Sequence, residues 1–331
     1  VNNPKLKKEH PMNKTQKYLI ALLGLQIILI VVVFLLQRPV AASNNLIFPD
    51  LKIEAVTDLK ISDSSGNLIS IQKSGEGWVL PLQDDYPVQT EKIQELVDKL
   101  STVRDNRLVT RSESSHDRLS ISDNNFDRKV EITINGKSEV IYFGSSPAAN
   151  NIHFRLSGKP EVYLTNALTN TNISTSFSSW VDTIIFQIGS NTVNKIVVNS
   201  AEGSFVFEVD SDSVWSTNQV AEGFEFDQSK WSSLFTGFTT LRFVEPVSKT
   251  DQAKYGFDTP LSSMLIFYSN DAGEPLTREF VIGSQDDSGN YYAKWSGSEY
   301  IYKISSFNAE RFINLTTEEF SSPIPTEEPD N

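Results

Sequence analysis

Five apolar positions recur at one constant displacement in this 331-residue chain, and that recurrence limits its fold more than any other feature. Ile93, Leu96, Val97, Leu100 and Val103 have the i, i+3, i+4 spacing of a helix with one buried face. Trp231, Leu234, Phe235, Phe238 and Leu241 repeat the pattern 138 residues later. Thr90 and Asp227 stand where a helix cap is expected. Other landmarks keep nearly the same offset: Trp78 and Trp215, Phe143-Gly144-Ser145 and Ile282-Gly283-Ser284, Ser157-Gly158 and Ser296-Gly297, Tyr163 and Tyr302. Independent coincidences do not accumulate at one spacing, so the chain reads as two copies of one module.

Each copy repeats one order of elements. Alternating apolar residues predict a leading hairpin of residues 58–62 and 68–73 about Asp63-Ser64-Ser65-Gly66-Asn67, and of 195–199 and 204–209 about Ala201-Glu202-Gly203. A strand holding the Trp follows, then the helix. Further strands are predicted at 130–134, 140–143, 152–156 and 161–164, and at 264–268, 278–282, 291–295 and 300–304. Turns as short as Asn135-Gly136 and Gly297-Ser298 require antiparallel pairing, because a parallel crossover needs a dozen or more residues. The expected class is α+β: two tandem repeats, each a largely antiparallel sheet with one amphipathic helix, preceded by a single transmembrane helix.

That transmembrane helix is residues 18–36, bounded by Tyr18 and Leu36, 19 residues without a charge. Such a helix covers roughly 28 Å of hydrocarbon. Gln26 is its one strongly polar residue and reads as tolerated. Five Lys against Glu9 give residues 1–17 a charge of +4, and either Val1 or Met12 as the start leaves Lys14 and Lys17 ahead of the span. The positive-inside rule then places the N-terminus in the cytoplasm and the body outside, in the cell membrane. A cleaved signal peptide is the rival reading, with Val40-Ala41-Ala42 as its processing site. The length of the apolar run and the interruption by Arg38-Pro39 favour an uncleaved anchor. The chain thus divides into a basic leader (1–17), the span (18–36), a linker (37–49), a first repeat (50–188), a second repeat (189–318) and a disordered acidic tail (319–331).

The formal charge is −13, and with the leader and Arg38 set apart the body carries −18. An acidic body repels phosphate backbones, so nucleic acid is not an expected partner. The absence of cysteine removes disulfides and thiolate chemistry. His10, His116 and His153 are the only histidines, and the anchor separates the first from the others. His116 reads as a solvated loop residue in Ser112-Glu113-Ser114-Ser115-His116-Asp117, and His153 as an outward-facing strand residue. No zincin, nucleophile-elbow, P-loop or dinucleotide motif occurs. The pairs Asp84-Asp85 and Asp286-Asp287 read as solvated turns, the second lacking the alternating ligand spacing of a calcium loop. The expectation is therefore no catalytic residue, no metal and no cofactor. Trp78 and Trp215 read as core positions, while Tyr291, Tyr292 and Trp295 offer a candidate exposed ring for a sugar. Asn172-Ile173-Ser174 and Asn314-Leu315-Thr316 match glycosylation sequons, a frequent chance pattern.

Trp78 followed by Asp85-Tyr86-Pro87-Val88 and an amphipathic helix resembles the bacterial family called domain of unknown function 4340. So does the series Lys254-Tyr255-Gly256-Phe257-Asp258-Thr259-Pro260, Val281-Ile282-Gly283, Tyr291-Tyr292-Ala293 and Tyr300-Ile301-Tyr302. The resemblance covers roughly residues 50–318, with Asp117-Arg118-Leu119 standing in the first copy for Tyr255-Gly256-Phe257. It implies a membrane-anchored envelope protein accessory to ABC-type transport or gliding-motility-like complexes, with permease or auxiliary subunits as partners. It assigns no site residue. The expected function is a non-enzymatic protein-interaction module. The alternatives are a glycan or cell-wall binding module, and an extracytoplasmic hydrolase using paired carboxylates.

Overall fold

A computed structural model of the chain describes residues 13–36 and 43–325. Helix α1 (Lys14–Leu36) begins four residues before the predicted span. Its 23 residues reach about 34 Å, enough to cross a hydrocarbon core of about 30 Å. Its apolar side chains, from Leu19 to Val33, pack against no other part of the described chain. Residues 1–12 of the leader and 37–42, including Arg38-Pro39 and the rival processing site, lie outside the described residues.

The first sheet is built from β1 (Val56–Ser62), β2 (Leu68–Ser74), β3 (Gly77–Leu80), β4 (Tyr86–Val88), β5 (Leu108–Thr110), β6 (Arg128–Ile134), β7 (Lys137–Phe143), β8 (Ile152–Leu156) and β9 (Val162–Thr165). Its spatial order is β4-β3-β2-β1-β6-β7-β8-β9-β5, antiparallel throughout. Both expected hairpins of this half form. The β6–β7 turn places Asn135 and Gly136 at φ 50° and 77°, the left-handed pair that lets a two-residue turn follow the strand twist. Helix α2 (Thr90–Ser101) lays Ile93, Leu96, Val97 and Leu100 on one face of this sheet.

The second sheet runs β13-β12-β11-β17-β18-β19-β20-β16. The segment β10 (Ile184–Gln187) precedes β11 (Val193–Ser200), β12 (Gly203–Val209), β13 (Trp215–Ser216) and β14 (Phe224–Phe226). Helix α3 (Gln228–Thr239), β15 (Thr240–Arg242), β16 (Glu245–Ser248), β17 (Ser262–Ser269), β18 (Pro275–Gln285), β19 (Tyr291–Trp295) and β20 (Ile301–Ile304) follow. Helix α4 (Ser306–Ile313) and β21 (Ser321–Pro323) complete the described chain. The core here is aromatic: the Trp231 ring lies 4.2 Å from Phe207 and 5.1 Å from Trp215, and Phe312 lies 5.1 Å from Phe238.

Several expectations are corrected. Asp227 caps α3 by accepting from the N–H groups of Ser229 and Lys230, as expected, but Thr90 is the first helical residue of α2 and Gln89 precedes it without a side-chain cap. Val103 and Leu241 are buried as the pattern required, yet both lie past the helix ends. A second helix, α4, is present after β20: Ser305 caps it through the N–H of Asn308, and Ala309 and Phe312 face the core. The tail begins later than residue 319. Phe320 is fully buried against Phe205 and Phe207, and β21 pairs with β14, so apolar burial and backbone pairing hold this stretch; residues 326–331 lie outside the described residues.

Candidate functional site

Two places gather the polar residues noted in the sequence. One is the outer face of each sheet, opposite its helix. The other is the contact between the two sheets.

On the first outer face the segment 113–126 is folded down over β7, β8 and β9, burying Leu119, Ile121, Tyr142 and Val162 in a small second core. His116 is therefore no solvated loop residue: it is 8% exposed, and its Nε2 lies 2.9 Å from the Pro160 carbonyl oxygen. His153 does face outward from the sheet, but under this cover it is 6% exposed, with Nδ1 2.7 Å from the Ser145 carbonyl oxygen. Arg155 is buried beside them, donating to the Ile121 carbonyl and pairing with Asp123 at 2.5 Å, with Tyr142 under its guanidinium. The Arg155 bond holds the Asp123 carboxyl below the usual carboxylate range.

The second outer face is covered by residues 249–258. Lys294 lies over the Phe257 ring at 4.5 Å and 3.6 Å from Asp251, while Tyr255 is buried against Tyr292 at 4.5 Å. Trp295 points the other way, 6% exposed against Phe186 of β10 at 4.5 Å, so it presents no ring to a sugar. Asp286 closes its own turn by accepting from the N–H groups of Ser288 and Asn290 and pairs with Lys303 at 3.2 Å. Burial pushes its carboxyl up, but these donors outweigh it and hold the group low.

The contact between the sheets is made by three consecutive residues of the first. Asp84 and Asp85 both have left-handed backbone, φ 50° and 61°, which turns the chain toward the second sheet. There Asp84 accepts from the Ser248 hydroxyl at 2.7 Å and the Lys249 N–H at 2.8 Å, and the Tyr300 hydroxyl donates to the Asp85 carbonyl at 3.2 Å. Tyr86 inserts its ring among Phe243, Tyr300 and Tyr302, 4.7 to 6.3 Å centroid to centroid. The expected boundary at 189 is crossed by pairing, since β10 lies before it and bonds to β15 after it. Apart from the small core of Tyr142 and Val162, the buried side chains on the helix-covered faces of both sheets belong to one continuous cluster. The pair Asp84-Asp85 is thus a joint, and nothing in the local pattern of two turn aspartates signals a receiver 164 residues away.

The Lys249 N–H and then the Ser248 hydroxyl lower the Asp84 pKa below its ordinary 3.8. A depressed folded-state pKa means that the stability contributed by the Asp84 carboxylate is fully present above that ordinary value and is lost as pH falls through the depressed one, while the Tyr86 contacts do not titrate with it. Asp84→Asn, which keeps the left-handed turn but removes the charge, is expected to speed hydrogen exchange at the Lys249 amide several-fold at pH 7. Asp50→Asn, another left-handed aspartate, leaves that amide unchanged. Equal exchange in both variants would remove Asp84 from the joint.

Among the described residues no group of three or more His, Asp or Glu is placed to hold a metal ion. Comparison with curated proteins and with solved structures finds no match. The profile of one family matches residues 78–260, a narrower span than residues 50–318, running from β3 across the joint to the segment covering the second outer face. The match takes in more than half of the chain, and the chain belongs to the family described as domain of unknown function (DUF4340).

Proposed function

We propose that this chain is a non-enzymatic, single-pass membrane protein, its N-terminus cytoplasmic, whose two copies of one α+β module form an extracytoplasmic body that binds protein partners. The observation that carries this reading is where the polar groups with reactive potential direct their bonds. His116, His153, Arg155, Asp84 and Asp286 each hold down a covering segment, close a turn or join the sheets.

The duplication is supported by topology. Setting β4 aside, both sheets place eight strands in one order relative to the chain, and in both the helix follows the third strand of that set. It is also supported by two glycines. A side chain on Gly144 would collide with the Leu119 carbonyl oxygen, and one on Gly283 with that of Tyr255. The residue after each carbonyl, Ser120 or Gly256, is left-handed. The counterpart of Tyr255-Gly256-Phe257 is therefore Leu119-Ser120-Ile121, two residues later than Asp117-Arg118-Leu119.

The partner class follows the family resemblance: permease or auxiliary subunits of an ABC-type transport or gliding-motility-like complex. Crosslinking and mass spectrometry on the membrane-embedded protein are expected to return links between the body and permease subunits. An envelope-glycan pull-down that retains the body, with no such links, would sink the proposal.

A further inference from the structure

The route by which the chain leaves α1 limits how far one rim of the body can stand from the end of that helix. From Leu36 to Ser43 there are seven peptide links, a reach of at most about 25 Å. Immediately beyond, the chain is bonded to the rim of the first sheet. Asn45 N–H donates to Asp105 Oδ1 at 2.8 Å, Arg104 Nη1 to the Asn44 carbonyl at 2.7 Å, and Ile47 N–H to the Val103 carbonyl at 2.9 Å. The segment 103–111 therefore cannot stand farther from the end of α1 than this short tether allows.

Its composition departs from the rest of the body. Arg104, Arg107 and Arg111 face a single carboxylate, Asp105, within it, in a body that carries −18. Among the described residues, Arg104 and Arg107 donate to neutral acceptors only, the Asn44 carbonyl and Asn151 Oδ1. Arg111 lies 3.8 Å from Glu161. Between the arginines, Leu108 and Val109 are 40% and 45% exposed on β5, the outermost strand of the sheet. Guanidinium groups flanking exposed aliphatic side chains match the interface of an anionic bilayer, where phosphates meet acyl chains.

We infer that residues 103–111 form a lipid-contact surface. Leu108 and Val109 enter the headgroup layer of the membrane that α1 crosses, and Arg104, Arg107 and Arg111 face its anionic headgroups. The inference rests on the membrane-spanning reading of α1. It predicts a body held down on the bilayer along one rim.

The chain has no cysteine, so a single Val109→Cys carrying an environment-sensitive fluorophore reports this rim without background. Leu82→Cys, 62% exposed beside the opposite edge strand β4, is the reference. In the full-length protein in protein-free vesicles containing phosphatidylglycerol, the Val109 probe is expected to shift to the blue and lose quenching by aqueous acrylamide; the Leu82 probe does neither. Arg107→Glu with Arg111→Glu, leaving Arg104 on its tether, restores quenching at Val109, while Arg107→Lys with Arg111→Lys keeps the protection. Equal quenching at both probes in protein that still floats with the vesicles overturns this inference alone. Protection that is unchanged in phosphatidylcholine overturns its anionic part. Failure of the protein to float overturns the spanning reading of α1 and this inference with it.

Discussion

Gly283→Ala and Gly144→Ala are each expected to cost about 3 kcal/mol or more of folding stability, at or above the usual range for overpacking. The reason is geometric. At Gly283 a methyl group would fall inside the contact distance of the Tyr255 carbonyl oxygen and 3.1 Å from the Phe257 ring; at Gly144 it would strike the carbonyls of Leu119 and Ser120. A flexible side chain rotates away from such an intrusion, but a backbone carbonyl held by the covering segment does not. Relief requires lifting residues 249–258 or 113–126 off the outer face, which exposes Tyr255 or the Leu119 and Ile121 core. Gly136→Ala is the control. Gly136 has φ 77° but open space around it, so only left-handed strain applies, about 1–2 kcal/mol. Urea midpoints for the three variants decide the matter: a Gly283→Ala protein no less stable than Gly136→Ala would show that the segment does not approach the sheet this closely.

Phe320→Ala should destabilise the second half by about 3–5 kcal/mol, the usual cost of deleting a buried phenyl ring. Phe320 has no exposed surface and stands edge-on to Phe207 at 5.0 Å and Phe205 at 5.5 Å. The chain on either side of it is fastened independently: Ser322 donates to the capping residue Asp227, and Lys230 donates to the Glu318 and Ser321 carbonyls. Loss of the ring therefore falls on the aromatic core with Phe205, Phe207 and Phe226, while these bonds still hold β21 beside α3. Thermal unfolding followed by near-UV circular dichroism, which reads the aromatic cluster directly, should show the loss; an unchanged transition would return residues 319–325 to the status of a tail.

What the sequence makes legible, and what it hides, divides along range of interaction. Hairpins, the two long amphipathic helices, the Asp227 cap and the Asn135-Gly136 turn are set by neighbours a few residues apart, and alternation or 3.6-residue periodicity reveals them. Alternation also assigns His153 to the correct face of β8. It cannot reveal that a segment some 30 residues earlier lies over that face, which is why His153 and His116 are buried and not solvated. Trp295 is hidden for a related reason: its cover, Phe186, comes from β10, more than 100 residues away. Composition misled at residue 319, where Ser321, Ser322 and Pro323 look unable to pack. Their partners Phe224–Phe226 are invisible to a local window, and so is the receiver of Asp84. Helix α4 was in principle legible, since Ser305 followed by Ala309, Phe312 and Ile313 is a cap and a buried stripe; its eight residues are too few for periodicity to stand out.

The joint at Asp84, Asp85 and Tyr86, together with β10 zipped onto β15, leaves no slack connector between the halves. A chain built this way behaves mechanically as a lever and not as two beads on a string. A load applied at the β11–β12 hairpin is therefore met at the Asp84–Tyr86 joint and at the β10–β15 pairing, where yielding means breaking named bonds.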